Sequence, residues 1–249
     1  MSSDYPSAPN AEPGWTNGWA REPRAPRPRI GAMSDREPMT RTYRCALGIC
    51  SPIVRRWGRL DVEGVEHIPA KGPLLIVGNH DSYWDPVVVG LAAIERRQIR
   101  ALAKSSLWKV KGLDKVLDGM RQIPIARGSA DAGALDAAIA ELRAGSCIGI
   151  FPEGTRSLGR TLRPRSGMGR LVAAVPEAAI VPVAVVGSTD IARFPTRPRL
   201  HVRFLPPADS LREGESPAEF AVRIMQEIRQ IAPIVPAGRR KKLTPAPVE

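Results

Sequence analysis

The sequence predicts a single α/β domain, a mixed and largely parallel sheet flanked by helices and preceded by a short amphipathic helical segment. Three observations predict it. Short apolar runs bounded by Gly or Pro alternate with stretches of helical periodicity. The alternation runs from about 61 to 232 with no internal repeat. And 249 residues with 43% hydrophobic content are enough for one well-filled core plus tails.

Taken in order, residues 1–40 are rich in Pro, Gly and mixed charge and offer no periodic apolar face, so they read as a disordered tail. Over 41–60, Ala46, Leu47, Cys50, Ile53, Val54, Trp57 and Leu60 fall on one helical stripe, with Arg44, Arg55, Arg56 and Arg59 off it. Ser51-Pro52 reads as an N-cap followed by a first helical residue, which predicts two short helices rather than one. A basic amphipathic segment of this kind either lies in a bilayer interface or packs its stripe on the domain, and the pattern fits both.

Pro73 to Gly78 is a buried strand, and Asp85 to Glu95 the helix after it. Arg97 to Ala103 and Gln122 to Ala126 are strands; Ser129 caps a helix with the stripe Leu135, Ile139, Leu142, which Gly145 stops. Cys147 to Phe151 and Ile180 to Val186 are strands, and Pro182 inside the second marks an edge, a bulge or a strand beginning. Leu200, Val202 and Phe204 alternate with His201 and Arg203, as in a strand with one face in water. Ser216-Pro217-Ala218-Glu219 is a capping box ahead of Phe220, Ile224, Ile228 and Ile231. Residues 233–249 form a Pro-rich basic tail containing Arg239, Arg240, Lys241 and Lys242.

A net charge of +12 favours a polyanionic partner: nucleic acid, anionic lipid or a phosphorylated substrate. Aromatic content of 5%, without aromatics interleaved among basic residues in the strands, argues against a nucleic-acid stacking platform. No nucleic-acid partner is expected. Three cysteines, Cys45, Cys50 and Cys147, form no disulfide framework, which points to a reducing compartment. Cys45 and Cys50 have no histidine nearby, and no metal site is expected. No run approaches the roughly 20 apolar residues of a membrane span, and the first 40 residues lack a signal-peptide core.

Chemistry concentrates at strand ends. Asn79-His80-Asp81-Ser82-Tyr83-Trp84-Asp85 follows the strand PLLIVG directly. The spacing of His80 and Asp85 lets the chain turn and bring carboxylate to imidazole, fixing the tautomer and raising the basicity of the far nitrogen. Taken alone, such a histidine equally suits a satisfied structural group. Arg127 sits just past the strand ending at Ala126, where a guanidinium can grip a phosphate bidentately or simply be solvated. Phe151-Pro152-Glu153-Gly154-Thr155-Arg156-Ser157 follows a third strand. There Gly154 permits a tight turn close to a ligand, Thr155 and Arg156 can gather a phosphate, and Glu153 can meet a substrate hydroxyl. Gly149 to Gly154 imitates half of a nucleotide-phosphate loop, but Thr155-Arg156 stands where Lys-Ser/Thr is required.

Read as an ordered set, H-x-x-x-x-D, G-x-x-x-I-x-I-x-R, F-P-E-G-T-R-S and V-P-V resemble the glycerolipid acyltransferases, typified by lysophosphatidic acid acyltransferase, over about 61 to 186. The resemblance implies an α/β acyltransferase domain behind an amphipathic helical segment. It also implies no bound cofactor, with acyl-CoA or acyl-carrier protein as co-substrate and a lysophospholipid, foremost 1-acylglycerol-3-phosphate, as acceptor. His80 would be the base and Asp85 its partner; Arg127, Glu153, Gly154, Thr155 and Arg156 would form the acceptor site, with Arg165 nearby, where the family often has Lys-Thr-Gly. An enzyme of this kind is expected as a peripheral protein on the cytoplasmic face of an anionic membrane. Pro124 and Ala126 depart from the family's second motif, and Gly119 lies further from the isoleucines than in many members, which leaves the head group open. Other readings are a different lysolipid or glycolipid acceptor, a histidine-dependent thioester hydrolase, or a non-catalytic basic membrane-binding module.

Overall fold

The structure, a computed structural model, describes residues 38–126, 132–193, 195 and 197–234. The expected tails up to 37 and from 235, together with Arg127 and Ser129, lie outside the described residues.

Seven strands form one sheet: β1 (Asp61–Glu63), β2 (Leu74–Gly78), β3 (Ile99–Lys104), β4 (Ile123–Ile125), β5 (Cys147–Ile150), β6 (Ala179–Val186) and β7 (His201–Phe204), ordered β1-β7-β6-β2-β5-β3-β4. β6, β2, β5, β3 and β4 are mutually parallel, while β7 runs antiparallel to β6 and carries β1 parallel to itself. The predicted mixed, largely parallel sheet is therefore present. β2 is its middle strand, and all five of its residues are buried, as a strand covered on both faces requires.

Two helical layers cover the sheet. On one face, Leu74 and Ile76 of β2 join Val88 and Leu91 of α2 (Asp85–Ala93) and Tyr43 and Leu47 of α1 (Arg41–Ser51). Leu75 and Val77 point the other way, as the two-residue strand period demands. They meet α4 (Ala132–Arg143), α5 (Gly167–Ala174) and α6 (Pro217–Ile231) through Leu142, Leu171 and Ile224. α3 (Leu113–Gly119) lies between β3 and β4 in the chain. The chain leaves β2 through α2 on the first face and leaves β5 through α5 on the second. Connections from two adjacent strand ends therefore leave the sheet on opposite faces, the kind of switch point at which open α/β sheets place their sites.

The predicted capping box of α6 is closed from both sides: Glu219 N–H donates to Ser216 Oγ at 3.3 Å, and Ser216 N–H to Glu219 Oε2 at 2.9 Å. Phe220, Ile224 and Ile228 are buried behind it, with Ile231 partly so.

One expectation is met in part and one is corrected. A second helical segment does begin at Pro52, but Ser51 does not cap it. Ser51 is itself helical (φ −56°, ψ −43°) with no capping bond, and α1 runs straight into a π-helical segment, Pro52–Trp57. Pro52 has no N–H to give the preceding turn, and the segment after it is wound wider: Gly58 N–H donates five residues back to Ile53 O at 2.8 Å. Nor does Pro182 mark an edge, a bulge or a strand beginning, because β6 lies inside the sheet between β7 and β2. Its carbonyl accepts from Leu205 N–H at 2.8 Å, one residue beyond the last β6–β7 pair, so the missing N–H forfeits a bond only at the end of that ladder.

The helical segment packs part of its stripe on the domain. Tyr43, Leu47 and Val54 are buried against α2 and the sheet, and Tyr43 Oη accepts from Ile99 N–H at 3.3 Å. Leu47→Ala should therefore cost about 2–5 kcal/mol of stability in the absence of lipid. Denaturant titration measures this; an unchanged midpoint would mean that the segment does not depend on docking to the domain.

Candidate active site

Asn79 ends β2 by a substitution of groups. Its side-chain amide donates to Val185 O at 2.9 Å and accepts from Val185 N–H at 2.8 Å, standing in for one more rung of the β2–β6 ladder. The main chain is thereby released one residue after the strand, at His80, which is 5% exposed. The His80 ring stacks on Phe151, which follows β5, with centroids 4.6 Å apart.

Asp85, at the first turn of α2, is completely buried and reaches back to this ring: His80 Nδ1 lies 3.1 Å from Asp85 Oδ2. The same oxygen accepts from Asp81 N–H and Ser82 N–H, each at 2.7 Å, so backbone donors fix the carboxylate before the imidazole meets it. Nδ1–H is then the donor and Nε2 is left for chemistry. Among the described residues, Asp85 Oδ1 has no hydrogen-bond donor.

The loop after β5 is tied to the same histidine through its main chain. His80 N–H donates to Glu153 Oε2 at 2.9 Å, and Ser157 N–H to His80 O at 2.8 Å. Glu153, expected among the acceptor ligands, has both carboxylate oxygens hydrogen-bonded inside the protein and is 4% exposed. Its Oε1 takes hydrogen bonds from Arg229, near the end of α6, with Nε at 3.1 Å. Arg229 also grips Asp81, with Nη1 2.9 Å from Oδ2 and Nη2 3.0 Å from Oδ1. Asn79 Nδ2, at 2.8 Å, and Ser157 Oγ donate to the same carboxylate.

Burial alone would raise the Asp81 carboxyl. Hydrogen bonds from Arg229 and Ser157 and the guanidinium charge outweigh it and hold the group below the usual carboxylate range. Burial likewise works against the charge on Arg229, and its bonds to Asp81 and Glu153 more than restore it. Sequence reading missed this frame. Asn79, Asp81 and Phe151 stand inside the quoted motifs without an assigned role, and no spacing connects Arg229 to residues 148 positions away.

The other predicted residues form an outer shell. Gly154 is left-handed (φ +68°), a conformation that favours glycine, and the flexible Arg165 side chain crosses close by, its Nε 2.6 Å from where a Cβ would stand. Thr155 and Arg165 are exposed. Arg156 is half-buried, its guanidinium 3.5 Å from the centroid of the Tyr83 ring. Arg127 lies outside the described residues. Among them, no group of three or more His, Cys, Asp or Glu is arranged to hold a metal, and no helix is long and apolar enough to cross a membrane.

Residues 59–186, just over half the chain, match the profile of the family described as Acyltransferase. The chain belongs to this acyltransferase family. A 1-acyl-sn-glycerol-3-phosphate acyltransferase of Bacillus subtilis is 26% identical over 145 residues, covering 58% of this acyltransferase and 71% of the relative. A lyso-ornithine lipid O-acyltransferase of Pseudomonas aeruginosa is 29% identical over 184 residues, 63% of this chain and 67% of its own. Several other relatives are spanned over less than half their length. The crystal structure of the 1-acyl-sn-glycerophosphate acyltransferase of Thermotoga maritima superposes with a TM-score of 0.58 at 20% identity, covering 76% of this chain and 80% of that one, and shares its fold.

Removing Arg229 from this acyltransferase leaves two carboxylates facing each other with little water. Arg229→Leu should cost about 3 kcal/mol, and Arg229→Lys, with no fork to span both partners, should recover only part of it. The depressed Asp81 value gives the pH dependence its sign. Its contribution is complete above the ordinary carboxylate range and is lost as pH falls through that range toward the lower folded value. Denaturation curves from neutral to acid pH should show a steep acid limb in the wild type and a shallower one in Asp81→Asn; equal slopes would remove Asp81 from the linkage.

Proposed function

We propose that this acyltransferase transfers a fatty acyl group from acyl-CoA or acyl-carrier protein to the free hydroxyl of a lysophospholipid, foremost 1-acylglycerol-3-phosphate, giving phosphatidic acid. The carrying observation is the His80–Asp85 pair, set on a loop whose main chain is bonded to both ends of the Glu153–Ser157 turn.

In this mechanism the acceptor hydroxyl meets His80 Nε2 as its oxygen attacks the thioester carbonyl. The imidazole takes the proton, and Asp85 stabilises the cation that forms. Backbone N–H groups at the strand ends meet the oxyanion. Collapse forms the ester C–O bond and breaks the C–S bond, and His80 returns its proton to the departing thiolate. No nucleophile elbow surrounds Ser82, whose N–H serves Asp85 and whose Oγ accepts from Trp84 N–H at 3.2 Å, so transfer is direct.

Arg156 and Arg165, with Arg127, take the acceptor's phosphate, Gly154 and Thr155 shape the turn beneath it, and Glu153 holds His80 in place. The donor carriers are cytoplasmic, which puts the reaction on the inner face of the membrane. The arginines favour a phosphate head group. The Pseudomonas relative, named for a lyso-ornithine lipid, makes an amino-acid lipid the second acceptor to try.

His80→Ala should lower kcat by about 10²- to 10⁴-fold with the fold intact. Arg156→Ala should instead raise KM for a phosphate acceptor by roughly tenfold or more. A panel of lysolipid acceptors with one labelled acyl-CoA, resolved by mass spectrometry, tests both. Wild-type turnover by His80→Ala would end the mechanism, and thioester cleavage indifferent to acceptor would point to hydrolysis.

A further inference from the structure

Tyr83 is 75% exposed, yet the turn that carries it is fixed on both sides. Ahead of it, Ser82 N–H donates to Asp85 Oδ2 at 2.7 Å. Behind it, Trp84 N–H donates to Ser82 Oγ at 3.2 Å and Asp85 N–H to Ser82 O at 3.3 Å. The ring fills no core. What it meets is Arg156, 73 residues on, in the loop after β5: the guanidinium carbon lies 3.5 Å from the ring centroid, and Nη2 donates to Tyr83 Oη at 2.8 Å.

These two contacts differ in what they consume. The five N–H donors of a guanidinium lie in its plane. A ring against the face takes none of them, and the phenol oxygen takes one. The charged group is thereby restrained while most of its fork stays able to meet an anion. An exposed arginine otherwise samples many rotamers, and a ligand that needs it in one place must supply that ordering itself. Beneath the side chains, Ser157 N–H donates to His80 O at 2.8 Å and joins the two loops through their main chains. The stack of Arg156 on Tyr83 is a second tie between the same loops, made where a substrate would lie.

We propose that Tyr83 is a positioning residue for the acceptor. Its ring holds the Arg156 guanidinium in one place relative to His80, so that a phosphate monoester gripped there brings the hydroxyl on the adjacent carbon to the imidazole. The proposal rests on the reading that Arg156 takes the acceptor's phosphate, and it says what sets the position of that grip.

The test is a double-mutant cycle on the full-length protein. KM and kcat are measured for 1-acylglycerol-3-phosphate, with acyl-CoA and acyl-carrier protein each supplied as donor. Tyr83→Ala should raise KM about three- to tenfold and change kcat by less than about twofold; Tyr83→Phe, which keeps the ring, should recover most of that rise. In an Arg156→Ala background, Tyr83→Ala should raise KM no further, because the ring acts through the guanidinium. Additive effects, or a wild-type KM in Tyr83→Ala, would overturn the proposal. So would a lower KM there, which would mean that the ring withholds the guanidinium.

A second measurement needs no substrate. Nitrogen-15 relaxation of Arg156 Nε, assigned by its loss in Arg156→Lys, should report a rigid group in the wild type and Tyr83→Phe and a mobile one in Tyr83→Ala. A mobile Nε in the wild type overturns the proposal by itself. The two failures are separable. A rigid Nε with an unchanged KM in Arg156→Ala, or with no use of this acceptor, ends the acceptor reading and the positioning role with it. A raised KM in Arg156→Ala beside an unchanged one in Tyr83→Ala ends the positioning role alone.

Discussion

Arg229 lies between two carboxylates that reach it from different strand ends, Asp81 after β2 and Glu153 after β5. Burying these three charges costs desolvation energy that their mutual attraction barely offsets, so stability alone is a poor account of them. What the arrangement supplies is position. Glu153 holds the His80 main chain, and Asp81 stands one residue beyond it in a turn whose N–H groups orient Asp85. The guanidinium thus joins the second helical layer to the loop carrying the imidazole. It also keeps the two carboxylates of that loop apart: Asp81 is committed to Arg229, and Asp85 is left to the ring.

What could be read in the sequence was local. The His80–Asp85 pairing lies within one turn, and the strand–turn pattern placed it at a strand end. Strand boundaries were legible within a residue or two wherever apolar runs met Gly or Pro, as at Leu74–Gly78 and Cys147–Ile150. Reading failed where a partner was distant or a rule had two solutions. Arg229 sits on an amphipathic helix, where a cation normally faces water, and only the approach of α6 to the β2 and β5 loops makes it an inner residue. Pro52 does open a second helical segment, but helical φ and ψ at Ser51 join that segment to α1 without the expected cap. Pro182 misled because the edge rule concerns lost N–H bonds, and an interior strand whose neighbour stops short offers the same shelter.

The helical segment shows how one pattern serves two ends. Its stripe was compatible with a bilayer or a domain; Leu47 and Val54 of it are buried on the domain beside Tyr43, while Ile53 stays 41% exposed. Ile53 and Trp57 meanwhile line an apolar surface groove of about 540 Å³ with Trp84 and Ile191. Trp84 immediately precedes Asp85, so the segment braces the outer side of the loop that Arg229 braces from within. The first helical layer and the last helix, far apart in sequence, restrain one short turn from opposite sides.

Around that turn the side chains divide by exposure. His80, Asp85 and Glu153 are buried and committed to one another, so substitution at any of them alters geometry as well as chemistry. Thr155, Arg156 and Arg165 face outward, and each can change while the frame beneath stays whole. A fixed reacting centre under an adaptable shell lets one fold acylate different lysolipids by changing the shell alone. Relatives named for a phosphate-bearing and an amino-acid-bearing acceptor each match more than half of this chain. On the proposed mechanism, the choice of head group belongs to the guanidinium shell, where a charged partner costs little to gain or lose. The imidazole and its carboxylate have no such freedom.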